Sequence, residues 1–379
     1  MKILLIGEYY SSNLGDPVLC KTVESVIQNS YPNAEIVIFD ISGRTNYNTF
    51  YEPIKYSFSQ KWYMRFSYRL PMICNLSARL RICKLDESRH LRVACMLNHY
   101  LDNQQFDLAI FAGGSLFMDY FAGVIELICR KLYHADVPVI FHACGMSTLT
   151  KDTKKVLQYA LNYKNVKRIS LRDSYDLFQS LFKSHAIITQ TYDTALLCSE
   201  IFNVEYKKTT DYGIGIIADE QYYNFQKHLI FCFFNSSKNW KLFTNGSAAD
   251  ERFADMIFSD LGISNSEDYR MPRPKTAKEL IQTITSFEQI ISFRMHSHII
   301  ASSYGIPNYG YIWNPKVAEQ YKKLGLGGNC AIPEGAPDIA EMSMRLKETN
   351  PVFLKSSALA RGNLSADCLL DEVLYCLED

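Results

Sequence analysis

The chain has 379 residues, and its forty basic side chains balance forty acidic ones, so no global field exists to attract nucleic acid or an anionic surface. At 47% hydrophobic and 21% charged residues it has enough apolar material for packed cores and predicts two folded domains rather than one small module. Eleven cysteines without a C-x-x-C pair give no zinc or disulfide framework and suit a reducing cytoplasm.

From the N-terminus, short apolar, β-branched runs alternate with helical patterns. Lys2 to Gly7, Glu35 to Asp40, Asp107 to Ala112, Pro138 to Ala143, Val166 to Leu171 and Ala186 to Thr191 read as buried parallel strands. The first run ends at Gly7 and Glu8, too early for a signal-peptide core, and no apolar stretch reaches the roughly 18 residues needed to cross a bilayer. A cytoplasmic location follows as the expectation. Between the second and third strands, Lys55 to Arg92 holds nine bases against Asp86 and Glu87, a net charge of +7, with Trp62, Tyr63, Phe66 and Tyr68 interleaved. The segment reads either as a solvated helical insertion, at about residues 43–100, or as a surface that meets the inner membrane leaflet.

The polar stretch Glu200 to Asp211 divides the chain into residues 1–205, with the insertion, and 206–379. Beyond it Tyr212 to Ala218, His228 to Phe234, Gln289 to Phe293 and Asn308 to Trp313 read as strands, and Asp338 to Lys347 and Ser365 to Leu377 as helices able to pack on either domain. This pattern predicts an α/β fold of two Rossmann-like domains.

Ligands of open parallel sheets bind beyond the carboxyl ends of the strands, which directs attention to four junctions. The first, Gly7 to Pro17, contains Asn13 and Gly15, with Asp16 as expected N-cap and Pro17 at the first helical position. In the second, Gly113 and Gly114 allow close backbone approach before a helix expected from about Leu116, which places Asp119 in its first turn. The third follows a strand directly with Arg172 and Asp173, either a structural pair or a ligand site. The fourth, Arg294-Met-His296-Ser297, joins a guanidinium, an imidazole and a helix N-terminus expected near Ser297; Gly305 ends that helix, His298 reads as a core residue, and Lys316 follows the next strand.

Taken in order, Asn13-x-Gly15-Asp16, Gly113-Gly114 with Asp119, Arg172-Asp173 with Asp193 to Leu197, Arg294-Met-His296 with Gly305-Ile-Pro307, and Lys316-Val317 resemble the polysaccharide pyruvyl transferase family over roughly residues 1–320. Two positions depart from its pattern: Ser115 stands where a third glycine is usual, and His142 to Gly145 replaces a glycine-rich turn. The resemblance implies a GT-B-like pair of domains facing a cleft, and a transferase that moves pyruvate from phosphoenolpyruvate onto a sugar, or a lipid-linked oligosaccharide of surface polysaccharide synthesis, as a cyclic ketal.

On this reading Arg172, Arg294, His296, Ser297 and Lys316 bind phosphoenolpyruvate, and Arg294 and His296 are catalytic, His296 as general acid and Arg294 stabilising the departing phosphate. Asn13, Gly15, Asp16, Gly113, Gly114 and Asp119 form the acceptor side, where Asp16 or Asp119 orients or deprotonates a hydroxyl. No metal or other cofactor is expected, since no acidic cluster or His/Cys set has ligand spacing. A GT-B glycosyltransferase using a nucleotide sugar and a non-catalytic carbohydrate-binding protein remain the alternatives.

Overall fold

A computed structural model describes residues 1–47 and 84–378. Most of the basic segment, residues 55–83, lies outside the described residues, and so does the surface expected of it. Among those described, no helix is long and apolar enough to cross a membrane.

Two parallel sheets organise the chain. The first contains β1 (Lys2–Gly7), β2 (Glu35–Asp40), β3 (Leu108–Phe111), β4 (Gly114–Phe117), β5 (Val139–Met146), β6 (Val166–Leu171) and β7 (Ile187–Gln190), in the order β2-β1-β3-β5-β6-β7 with β4 alongside β5. The second contains β8 (Thr210–Gly215), β9 (Trp240–Phe243), β10 (Phe287–Ser292), β11 (Asn308–Tyr311) and β12 (Cys330–Ala331), in the order β12-β11-β10-β8-β9. Ile3 to Ile6 of β1 are fully buried, which is why these strands read as unbroken apolar runs rather than alternating ones. In each sheet the strand order reverses beside the first strand, between β1 and β3 and between β8 and β10. A crevice for ligands opens at such points.

The helix after β1, α1 (Gly15–Ser30), buries Val18, Leu19, Val23 and Ile27 against the core. Each such burial stabilises the fold by about 1.5–3 kcal/mol. Its N-cap is Leu14, so Asp16 lies in the first turn rather than capping the helix. The free amides of that turn favour a carboxylate there as well as at the cap.

Two other expectations are corrected. Gly114 to Phe117 pairs with β5 as a strand, so Asp119 precedes rather than enters the next helix, α2 (Lys84–Asn103) having come before it and α3 (Ala122–His134) following. His228 to Phe234 belongs to a helix, Tyr223–Phe234: Phe225, Leu229, Ile230 and Phe233 are buried at helical spacing while Phe231 and Phe234 are exposed. The strand of that region is β9, the four residues Trp240–Phe243.

The C-terminal helix, Pro351–Glu378, lies across both domains. Near its start it packs on Gly305, and further along Gly362 faces Leu197, Ser365 Oγ donates to the Tyr192 carbonyl at 2.8 Å, and Glu372 meets His142 Nδ1 at 2.8 Å. A Cβ on Gly362 would stand 2.7 Å from Leu197 Cγ, so helix and first domain approach too closely for any side chain there.

Candidate active site

The two crevices face one another across a cavity of about 260 Å³. Glu8, Asn13 and Asp16 line it from the end of β1 and the start of α1, Ser115 and Ser147 from β4 and the turn after β5, and Arg172 from the end of β6. Facing them are Asn245 beyond β9, Arg294 and His296 beyond β10, and Trp313, Asn314 and Lys316 beyond β11. Apart from Ser115, near the start of β4, these residues lie at or just beyond the carboxyl ends of their strands, where an open parallel sheet holds its ligands.

The helix bearing His296 runs from Met295 to Tyr304, two residues earlier than expected, with Arg294 at its N-cap and Gly305 in the left-handed conformation (φ 72°) at its end. His296 is 5% exposed and stands at an interdomain contact: its Nδ1 is 3.9 Å from Asp16 Oδ1, and Arg172 Nη1 is 3.4 Å from its Nε2. An arginine can only donate, so the neutral ring accepts at Nε2 and carries its proton on Nδ1, toward Asp16. Burial lowers the His296 pKa below its ordinary 6.5, and the Arg172 and Arg294 charges reinforce this while Asp16 and Asp193 oppose it. In the free protein the ring is neutral at pH 7.

Gly15 makes this contact possible, because a Cβ there would lie 2.3 Å from the His296 Cβ. Gly15→Ala should displace His296 and lower turnover on the order of 10²-fold, with circular dichroism unchanged, since small misplacements of a reacting group cost about that much. Activity at the wild-type level would show that the domains yield freely at this point.

Arg172 is 4% exposed and ion-paired with Asp193, while its Nε is 3.6 Å from Asp173 Oδ2. Burial opposes its charge, but the two carboxylates outweigh that and hold it cationic. Its Nη2, like Asn245 Nδ2, is a buried donor without a hydrogen-bond partner among the described residues, and Asn13 Oδ1 is a buried acceptor in the same condition. Unpaired buried donors beside a cavity mark a place where a ligand supplies the partner.

Lys316 enters from the first turn of the helix Pro315–Lys323, whose cap is Asn314, and crosses the cleft to reach Ser115 Oγ at 3.0 Å and Ser147 Oγ at 3.1 Å. Ser115 thereby supplies a hydroxyl that a glycine would lack. Burial lowers the Lys316 pKa, with Asp173 opposing.

Other expected residues stand apart. Arg294 lines the cavity, yet its guanidinium grips the fully buried Asp250, with Nε 3.1 Å from Oδ2 and Nη2 2.6 Å from Oδ1. Ser297 is buried outside the lining and gives its hydroxyl to Asn245 Oδ1 at 2.8 Å, because its position on the helix faces the second domain's interior. Asp119 accepts from the Thr150 amide at 3.0 Å and does not line the cavity. Gly113 and Gly114 also lie outside it; their positive φ values, 84° and 88°, turn the chain from β3 into β4, and Gly114 backs onto Asp16. His298 is the expected core histidine, with Nε2 2.9 Å from the Ser292 carbonyl and Nδ1 2.8 Å from Tyr321 Oη.

Glu8, Asn245 and Asp250 were not anticipated. The signal for Asn245 was a Thr-Asn-Gly turn closing a strand that the reading missed, and that for Asp250 only the demand of Arg294 for a partner. Burial, then the charge of Asp16, pushes the Glu8 carboxyl up to about 8, against the pull of Arg44.

The polysaccharide pyruvyl transferase family model matches residues 13–315. Among solved structures the chain is similar to S. aureus MnaA in a co-structure with UDP (TM-score 0.60, 9% identity, covering 100% of this chain and 97% of that one). It is similar also to a Rickettsia bellii UDP-N-acetylglucosamine 2-epimerase (0.58, 10%, 100% and 96%) and to the Methanocaldococcus jannaschii UDP-GlcNAc 2-epimerase with UDP-GlcNAc and UDP (0.54, 11%, 99% and 100%). At these identities the likeness concerns the fold, which is GT-B. No curated protein matches in sequence. The chain belongs to the polysaccharide pyruvyl transferase family and is an enzyme of the transferase class.

Proposed function

We propose that this family member transfers pyruvate from phosphoenolpyruvate to two hydroxyls of a saccharide, free or lipid-linked, forming a cyclic ketal and releasing phosphate. The observation that carries the reading is the convergence of Arg172, with its unpaired Nη2, the unpaired Asn245 amide, Lys316 and the His296 helix N-terminus on one cavity. A small trianion that bears both phosphate and carboxylate matches that set of donors.

In the proposed reaction one hydroxyl oxygen bonds to C2 of the enolpyruvyl group as C3 gains a proton. Phosphate then departs with its C2–O bond electrons, and the second hydroxyl closes the ring at C2. Of the two hydroxyl protons lost, one is balanced by that on the new methyl group and the other by protonation of phosphate. His296 delivers the C3 proton. Its depressed basicity in the free protein reverses when the donor's negative charges enter, since opposite charges favour the imidazolium. Arg172, Lys316 and the helix end hold the charge that collects on the leaving phosphate.

Thermal-shift titration tests the donor. Stabilisation by phosphoenolpyruvate, with none by nucleotide sugars, is the expected result; the opposite pattern would replace this reading with a nucleotide-sugar glycosyltransferase, and silence with both would favour a carbohydrate-binding protein. Phosphate release measured in EDTA is expected to match that in its absence, because fixed cations stand where a metal would otherwise neutralise the donor. Loss of activity restored by Mg²⁺ or Mn²⁺ would contradict it.

A further inference from the structure

Glu8 stands immediately beyond β1 and lines the cavity from the first domain as His296 does from the second, and its side chain is 20% exposed. The groups around it come from four elements: Asp16 on α1, Asp40 at the end of β2, Arg44 in the turn that follows, and Arg89 on α2. Among the described residues its one close ion pair is loose, with Arg44 Nη1 3.7 Å from Oε1. Asp16 is occupied differently, by Asn13 Nδ2 at 3.0 Å, Ser11 Oγ at 3.5 Å and the approach of His296. Of the two carboxyls on the first-domain wall, Asp16 is therefore held in place by its neighbours, while no described residue donates a hydrogen bond to the Glu8 carboxyl, whose second oxygen is left for a ligand.

We infer that Glu8 is the general base for the saccharide: one carboxylate oxygen takes the proton of the attacking hydroxyl while that hydroxyl oxygen bonds to C2 of the donor. The inference rests on the pyruvyl-transfer reading. The O–H electron pair becomes the new C–O bond, the proton moves to Glu8, and the resulting acid passes it to water before the next turnover. Asp16 orients the acceptor and the His296 ring. Burial and the neighbouring Asp16 give Glu8 a proton affinity near that of a good base at neutral pH, where an ordinary carboxylate would accept a hydroxyl proton poorly.

The sign of the pH effect follows. A base must be ionised to act, so kcat/KM, which reports the free enzyme, rises as pH climbs through about 8, the value to which Glu8 is pushed. The experiment compares wild type, Glu8→Gln and Glu8→Asp, using phosphoenolpyruvate with a panel of aryl pyranosides and following both phosphate release and ketal by mass spectrometry. Glu8→Gln is expected to lower kcat by on the order of 10²–10³ with little change in the phosphoenolpyruvate KM and to lose the rising alkaline limb, while Glu8→Asp recovers part of both. A limb that persists in Glu8→Gln overturns the assignment, as does a loss of turnover that tracks a fall in Tm and leaves the limb in place.

Carboxyl-carbon NMR of the free protein, with the Glu8 resonance assigned by its absence in Glu8→Gln, gives a readout independent of turnover. Titration near 8 supports the base, and titration near 4 overturns it. If wild type forms no ketal with any acceptor yet Glu8 titrates near 8, the pyruvyl-transfer reading fails and the unusual carboxyl stands. If ketal forms and Glu8 titrates near 4, the base alone fails.

Discussion

Replacing His296 by alanine is expected to lower kcat by on the order of 10² to 10⁴ while phosphoenolpyruvate binding remains measurable by calorimetry. The asymmetry arises from the two jobs around the donor. Arg172, Lys316 and Asn245 remain to hold its charges, whereas His296 is the only imidazole among the described residues that line the cavity. Wild-type calorimetry in two buffers of different ionisation enthalpy checks the same point without mutation. His296 is neutral in the free protein at pH 7, so donor binding should draw a proton from buffer, and His296→Ala should abolish that uptake. Should His296→Ala instead eliminate donor binding with the fold intact, the imidazole is a phosphate ligand and the acid lies elsewhere.

What made His296 legible was local: a strand ending in Arg-Met-His before a helix whose end is marked by Gly305. Such junctions are written in consecutive residues, as are Ile3 to Ile6 of β1, whose burial on both faces leaves an apolar run. Errors arose where one local pattern served two structures. His228 to Phe234 is as apolar as a strand, and only the exposure of Phe231 and Phe234 separates it from one. Gly114 to Phe117 begins within a Gly113-Gly114 pair that could open a helix, but β5 offers an edge for pairing that the sequence of those four residues does not contain. Partners distant in the chain were least readable. Arg172 and His296 meet across 124 positions and Arg294 and Asp250 across 44, and neither contact leaves a spacing signal. Glu8 is the extreme case, since its raised proton affinity comes from burial in the fold and then from the charges of Asp16 on α1 and Asp40 on β2, against the pull of Arg44, and none of this is written in its own segment.

Arg294 shows how such a distant partner changes an expected phenotype. From the sequence, Arg294→Ala would remove a phosphate contact and raise the phosphoenolpyruvate KM. The guanidinium also satisfies Asp250, which is fully buried and in turn accepts from the Ala218 amide at 2.9 Å. Removing one member of a buried pair leaves an uncompensated charge, a loss of about 3–5 kcal/mol. Arg294→Ala should therefore lower Tm by on the order of 10 °C as well as weaken donor binding. A second substitution separates the two effects. Asp250→Asn in the Arg294→Ala background removes the stranded charge while keeping an acceptor for Ala218, so it should recover much of the Tm without restoring donor affinity. Joint recovery of affinity and Tm would mean that Arg294 acts on the donor only by holding the loop after β10 in shape. Recovery of neither would mean that Asp250 itself, rather than its charge, organises this side of the cavity.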